Sequence, residues 1–330
     1  MNNKTIRKIF DLKNLSLGRN AWIWWFWLFF FKNPSNSQKP RQVAILWSAR
    51  NDANIKCNGI ELGTKNPLKE DGSVHGGIAA WYFDGKKMHD NFLLSRVKIN
   101  QIPLGLYTPY PDTKFQFKED FFKITIKDKM EFKATLIKDK NKFITPWVKE
   151  HKYFGLGYDM TGINKLNLKA TINGKKSNGT AYFQKVLLNA PAVPWYWGIF
   201  HFKHGAFLSY FNPHFLGKSL KKDVSFYDGK ILHKFDNIKV KGTGNSLPTF
   251  HIKACNNEKT IDFLVKSYSK TTWNFRKKKF GFIPTTFDYR QYPAKITNFK
   301  FNNMKNGSTI SEKDIGIGIG NAEHSTGILI

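Results

Sequence analysis

Lys165-Leu166-Asn167-Leu168-Lys169-Ala170-Thr171-Ile172 alternates polar and apolar residues and then meets Asn173-Gly174. A period of two puts Leu166, Leu168, Ala170 and Ile172 on one face of a half-buried strand. Asn-Gly is the strongest short hairpin signal, because both turn residues must reach positive φ. The chain returns through Gly179-Thr180-Ala181-Tyr182-Phe183, passes Pro191 and Pro194, and enters Trp195-Tyr196-Trp197-Gly198. Two more β segments, 199–202 and 206–211, flank Lys203-His204-Gly205.

The same grammar extends both ways. Phe122, Ile124 and Ile126 alternate with lysine and threonine, Asp128-Lys129 turns, and Met130, Phe132, Ala134 and Leu136 alternate in return. Asp228-Gly229 marks another hairpin, and Phe250, Ile252 and Ala254 face Ile261, Phe263 and Val265 across Asn256-Asn257. No helical period rivals these, so the chain reads as an all-β sandwich or barrel. A weak echo divides it. Asn173-Gly174 leads to Gly179-Thr180-Ala181, and Asn306-Gly307 leads to Gly320-Asn321-Ala322-Glu323. Two β modules that close alike, with a break near 212–223, account for this.

The 330 residues carry 53 Lys+Arg against 24 Asp+Glu, a formal charge of +29 that attracts polyanions. Anionic membrane and nucleic acid are the two candidates; lysines that merely decorate solvent-facing strand positions are the plain alternative. With 30 Phe and 10 Trp, the aromatic load suggests large pockets or surfaces that meet lipid. Trp22-Ile23-Trp24-Trp25-Phe26-Trp27-Leu28-Phe29-Phe30-Phe31 follows a basic stretch. It falls short of the ~20 apolar residues of a spanning helix. It also lacks the small-residue cleavage site of a signal peptide. It reads as a membrane-interface segment, tied on by a linker over 33–40. Cys57 and Cys255, far apart, read as free thiols of a reducing compartment.

Several chemistries are excluded. Gly316-Ile317-Gly318-Ile319-Gly320 has no helix signal after it, which a phosphate loop needs. There is no His-Glu-x-x-His, no paired-cysteine spacing and no Gly-x-Ser-x-Gly. His201-Phe202-Lys203-His204 straddles a turn without a carboxylate partner, so no metal and no cofactor is expected. What remains is an apolar pocket with few polar groups, walled by Trp81, Tyr82, Trp195 and Trp197. A lone buried carboxyl there, Asp84 or Glu323, has its pKa raised by desolvation and can protonate a double bond. Asp84 also precedes Gly85 and suits a turn; Glu323 also suits an exposed strand position.

The combination resembles the carotenoid 1,2-hydratase (hydroxyneurosporene synthase), AttH-like and tocopherol cyclase superfamily. Trp81-Tyr82-Phe83-Asp84-Gly85, Gly179-Thr180-Ala181-Tyr182-Phe183, Trp195-Tyr196-Trp197-Gly198 and the closing strand from Gly320 to Glu323 carry the likeness, over about residues 40–330. The resemblance implies two lipocalin-like antiparallel β-barrels in tandem, at 41–212 and 213–330, behind a basic, aromatic segment 1–40. It implies a bound isoprenoid or carotenoid-type lipid, and cofactor-free hydration, cyclisation or isomerisation by acid catalysis. The family's hydratases place Asp-His after the aromatic pair, where this chain has Gln184-Lys185. The expected catalytic set is Asp84, Glu323 and Gln184. The expected ligand-binding set is Trp81, Tyr82, Tyr182, Trp195, Trp197 and His201. Trp22–Phe31 would dock the protein at the inner face of the cytoplasmic membrane. A non-catalytic lipid carrier of the same fold is the second reading, and a basic single-stranded nucleic-acid binder ranks last, because the aromatics cluster with Gly and Pro rather than Lys and Arg.

Overall fold

The computed structural model describes residues 3–137, 143–152, 155–244, 246–279 and 282–329. The chain is all-β apart from short helices, and it divides into two units. The first takes residues 1–192, 274–286 and 329–330; the second takes 193–273 and 287–328. The boundary therefore falls just before Trp195, not at 212–213. Trp195-Tyr196-Trp197-Gly198 opens the second unit instead of closing the first.

The first unit begins with helix α1 (Asn3–Phe10). Its strands are β1 (Trp22–Phe31), β2 (Arg41–Arg50), β3 (Lys56–Cys57), β4 (Ile60–Glu61), β5 (Val74–Phe83), β6 (Met88–Ile102) and β7 (Gly105–Pro109). They continue as β8 (Asp112–Lys118), β9 (Phe121–Ile126), β10 (Met130–Thr135), β11 (Ile144–Lys152), β12 (Leu156–Ile172) and β13 (Lys175–Asn189). Ten of these strands close an antiparallel barrel in the order β10-β9-β8-β7-β6-β5-β2-β1-β13-β12, with β12 pairing back to β10. Closure removes the exposed sheet edges that an open sheet would leave.

The N-terminal aromatic run is a barrel strand. Trp27 sits opposite Phe183 on one side and Ile45 on the other. Trp25, Trp27 and Phe29 point inward, and Phe26, Leu28 and Phe30 on the opposite face are buried as well. A strand covered on both faces has no polar alternation, so it reads as a continuous apolar run. Its rings are not presented to a bilayer, which corrects the expected docking role of Trp22–Phe31 and the separate 1–40 segment.

The barrel interior is filled rather than chambered. Trp27 meets Phe115, Phe122 and Phe183 with ring centroids 5.3, 5.4 and 4.7 Å away. Phe29 stacks on Phe132 at 4.0 Å. Helix α1 adds Ile6, Ile9 and Phe10 to the same core, with Phe10 against Phe115 at 4.8 Å. Trp25 Nε1 donates to Ile9 O at 2.7 Å, and Lys185 Nζ donates to Lys8 O at 2.7 Å. These two bonds satisfy carbonyls that a helix end leaves open. The expected hydrocarbon chamber in this barrel is occupied by its own side chains.

The second unit holds β14 (Trp195–His201), β15 (Phe207–Phe215), β16 (Lys218–Ser219), β17 (Asp223–Tyr227), β18 (Leu232–Phe235), β19 (Asn237–Thr243), β20 (Thr249–Cys255) and β21 (Lys259–Ser267). β22 (Thr271–Lys279), β23 (Ile283–Asn303), β24 (Ser308–Ser311) and β25 (Gly318–Gly327) follow, parts of β22 and β23 falling in the first unit. The main path runs β18-β17-β15-β14-β25-β23-β21-β20-β19. Its end strands, β18 and β19, share no ladder but are joined through Asp236 alone. Phe200, Leu208, Phe226, Phe263, Phe299 and Phe301, drawn from strands along that path, meet in one core.

The two units repeat one plan. Each opens on a Trp-x-Trp strand, Trp22-Ile23-Trp24 or Trp195-Tyr196-Trp197, and each pairs that strand with its last long one, β13 or β25. The echoed Gly-x-Ala has a steric cause. A Cβ on Gly179 would sit 1.9 Å from Phe30 O, and one on Gly320 would sit 1.9 Å from Ile199 O. Only a bare backbone lets the closing strand cross the opening one that closely. Gly320→Ala should therefore destabilise the protein by about 1–3 kcal/mol, since a neighbouring strand cannot give way as a side chain would. A urea-denaturation midpoint equal to wild type would show that this crossing is looser than described.

Candidate functional site

Glu323 is the group that stands out chemically. On β25, Ala322 joins the core of the second unit, so Glu323 faces the other way. In register it lies between Trp197 on β14 and Gln291 on β23. It is only 3% exposed. Tyr289 donates its hydroxyl to one carboxyl oxygen, and Trp195 Nε1 donates to the other at 3.0 Å. Burial pushes the carboxyl up to about 8, against the opposing pull of those two hydrogen bonds. Glu323 is thus a neutral acid at pH 7.

Aromatic packing holds this group still. Trp195 lies 5.1 Å from Phe287 and 5.5 Å from Tyr289, and Trp273 lies 5.7 Å from Tyr289. The backbone N–H of Trp195 donates to Ser325 Oγ at 2.8 Å. Two residues along the same face, Asn321 is fully buried, and neither its amide oxygen nor its amide nitrogen has a hydrogen-bond partner among the described residues. A buried, unpaired amide beside a neutral carboxyl is a costly arrangement for structure alone. Tyr289 and Asn321 were not expected from the sequence. Asn-x-Glu at 321–323 was the visible signal for Asn321, whereas Tyr289 reaches Glu323 only through the β23–β25 register.

Asp84 does different work. Its Oδ1 accepts the backbone N–H groups of Lys86 and Lys87, each at 2.8 Å, and Oδ2 lies 2.9 Å from His89 Nε2. Partial burial tends to raise this carboxyl, but the Lys87 N–H, His89 and the Lys86 N–H together hold it below the usual carboxylate range. That is the reverse of what a proton donor needs. The arrangement recurs in the second unit, where Asp228 accepts from Lys230 N and Ile231 N at 2.6 and 2.7 Å and meets His233 Nε2 at 2.9 Å. Asp84-Gly85-Lys86-Lys87-Met88-His89 and Asp228-Gly229-Lys230-Ile231-Leu232-His233 share Asp-Gly-Lys-x-x-His. Both bridge the third and fourth strands of their sheets, β5 to β6 and β17 to β18. Asp84 is a turn residue of a repeated hairpin. Asp228→Ala, which strands two backbone donors beside a buried His233, should cost about 1–3 kcal/mol. A thermal melt unchanged from wild type would refute this.

The remaining expected residues divide. Trp195 and Trp197 share a β14 face with His201, which is also buried, and this face carries the Glu323 cluster. Tyr182 donates its hydroxyl to Gln184 Oε1 at 2.8 Å on the outer face of the first barrel. Lys185 turns to the opposite side, 5.4 Å over the Trp25 ring. Gln184 and Lys185 therefore cannot act together on one substrate from one face. Tyr82 points into the barrel and stacks on His89 at 5.6 Å, whereas Trp81 points out and is fully buried. Among the described residues, no three His, Cys, Asp or Glu side chains gather to hold a metal.

No family model matches this chain. No curated protein matches it either. A solved structure from Nitrosomonas europaea, provisionally described as an AttH, is similar over 93% of this chain and 92% of its own, at 9% identity and a TM-score of 0.48. A protein of unknown function from the DUF3598 family of Nostoc punctiforme is aligned over 98% of this chain and all of its own, at 9% identity and a TM-score of 0.13. At these scores neither likeness bears on activity. The barrel fold rests on its own strand ladder, and function rests on the residues.

Proposed function

We propose that this protein binds an apolar, isoprenoid-type molecule and that Glu323 is the acid that acts on it. One observation carries the reading: a buried carboxyl held by the Trp195 indole and the Tyr289 hydroxyl, which burial pushes up to about 8. The ligand's double bond would take the Glu323 proton. The O–H bond breaks as a C–H bond forms, leaving a carboxylate and a carbocation. The π faces of Trp195 and Trp197 stabilise that cation. Water then adds to the cation and returns a proton to the carboxylate, so the cycle needs no cofactor. Tyr289 would orient the acid, and Asn321, whose buried amide has no hydrogen-bond partner among the described residues, would hold the water.

The non-catalytic carrier is the second reading, favoured by Gln184 and Lys185 facing opposite ways where the hydratases place Asp-His. Incubating the purified protein with candidate isoprenoids in deuterated water separates the two. Deuterium on a product carbon with wild type, and its loss in Glu323→Gln with ligand still co-purifying, supports the acid. Bound lipid without any deuterated product, in both proteins, makes it a carrier. Absence of any apolar molecule from solvent extracts of the protein, read by mass spectrometry, would defeat both.

Among the described residues no helix is long and apolar enough to cross a membrane.

A further inference from the structure

Arg50, at the end of β2 in the first unit, carries a buried guanidinium. It is 4% exposed, and none of its three side-chain nitrogens has a hydrogen-bond partner among the described residues. Its Nε stands 3.5 Å from Asp52 Oδ2, an ion-pair separation without hydrogen-bond geometry. Asp52 is already engaged by Lys277 Nζ at 2.6 Å. The Asp52 oxygen nearest Arg50 thus accepts from Lys277, and the Arg50 guanidinium is left without a hydrogen-bonded anion among the described residues. Burial lowers Arg50 to about 10, with Asp52 opposing.

The same guanidinium lines a recess of about 20 Å³, with Ser48 the other polar side chain and Trp22, Ile55, Leu62, Phe275 and Leu329 as walls. The Trp22 ring lies 5.6 Å from the Arg50 carbon that bears the charge. A void of this size takes a water or the head of a carboxylate, and not a whole drug-sized molecule. A planar fork of N–H donors suits a carboxylate in particular. Walls of Trp, Phe, Leu and Ile suit an apolar body attached to that head.

We propose that the Arg50 recess binds the carboxylate of an apolar monocarboxylic acid, with the guanidinium taking the head and the Trp22–Phe275 wall the start of the chain. The site stands apart from the Glu323 reading and does not depend on it.

Sodium octanoate, 1-octanol and sodium acetate at fixed ionic strength test it by calorimetry on the full chain. Octanoate should bind one per chain, at least about tenfold tighter than octanol, the margin of one charge-assisted contact. Arg50→Met should erase that margin and leave octanol binding in place. Leu62→Trp, which fills the recess and keeps Arg50, should lose octanoate as well and serves if Arg50→Met fails to fold. Octanoate no tighter than octanol, or a margin that survives either variant, overturns the site. Acetate binding as tightly as octanoate overturns the apolar body.

A different observation carries a second inference. Phe215, Leu216 and Leu220 are exposed around the turn after β15, Leu216 at 85%. Lys218 and Lys222 lie in the same stretch, beside Lys221, which pairs with Asp223 at 3.5 Å. A short apolar insert or a basic patch alone holds a membrane weakly, and the two together suffice for peripheral binding. The overall charge of +29 favours an anionic surface. We infer that this tip seats on an anionic bilayer, with Phe215 and Leu216 among the headgroups. Sedimentation with vesicles of phosphatidylcholine, with and without phosphatidylserine, tests it. Binding should need phosphatidylserine and fall at least about tenfold in Leu216→Glu, which removes the insertion and leaves the lysines. Equal binding to both vesicles, or no change in Leu216→Glu, overturns it.

Discussion

Between pH 5 and pH 9 the wild-type protein should lose about 4 kcal/mol of stability relative to Glu323→Gln, read as the difference of their urea-unfolding free energies. The sign follows from proton counts. The unfolded carboxyl titrates near 4.5 and the folded one near 8. Below 4.5 both states hold the proton, and the group contributes no pH dependence. Between the two values the unfolded chain gives up its proton while the folded chain keeps it. The folded state then binds more protons, so stability falls as pH rises. Above 8 both states are ionised and the loss is complete. Glutamine cannot ionise, so the variant lacks this slope. Parallel curves for the two proteins would mean that Glu323 is solvated or already charged, and the proton donor of the proposed reaction would be gone.

Trp27→Ala should be the most damaging single truncation in the first barrel, at about 3–5 kcal/mol. Its ring is fully buried among Phe29, Phe115, Phe122 and Phe183, and the hole left behind has rigid aromatic walls that close poorly. Trp27 Nε1 has no hydrogen-bond partner among the described residues. Trp27→Phe should accordingly cost much less than Trp27→Ala, because it removes an unpaired buried donor along with part of the ring. Chemical denaturation of the three proteins checks both statements. A loss below ~1 kcal/mol for Trp27→Ala would point to a loosely filled interior. The barrel would then regain the guest chamber that its packing argues against.

Much of the strand content was legible because most strands bury one face. The alternation from Leu166 to Ile172, the Asn173-Gly174 turn and the Asp228-Gly229 turn stand in the structure, whereas Lys165, next to the irregularity between Ile163 and Leu166, is buried rather than solvent-facing. Trp22–Phe31 was not legible, since burial of both faces erases the period that tells a strand from an interfacial segment. Its likeness to Trp195-Tyr196-Trp197 was the available clue, and it places the first unit's start well before residue 41. Asp84 and Glu323 looked alike as isolated carboxyls. What separates them is a register the sequence does not display: Asp84 is beside backbone donors of its own hairpin, while Glu323 meets side chains from β14 and β23. The repeated Asp-Gly-Lys-x-x-His would have marked Asp84 as structural, because a motif used once in each unit serves what the units share.

The pairing of β1 with β13 has a bearing on biogenesis. When Trp22–Phe31 leaves the ribosome, one of its two partners, the closing strand, has not been synthesised, and roughly 150 residues must emerge before that edge is covered. Through that interval the nascent chain exposes its stickiest segment, an unpaired ribbon of tryptophan and phenylalanine open to aggregation. Helper proteins that shield such segments at the exit tunnel should therefore matter more to the yield of this protein than to one whose aromatic strands come last.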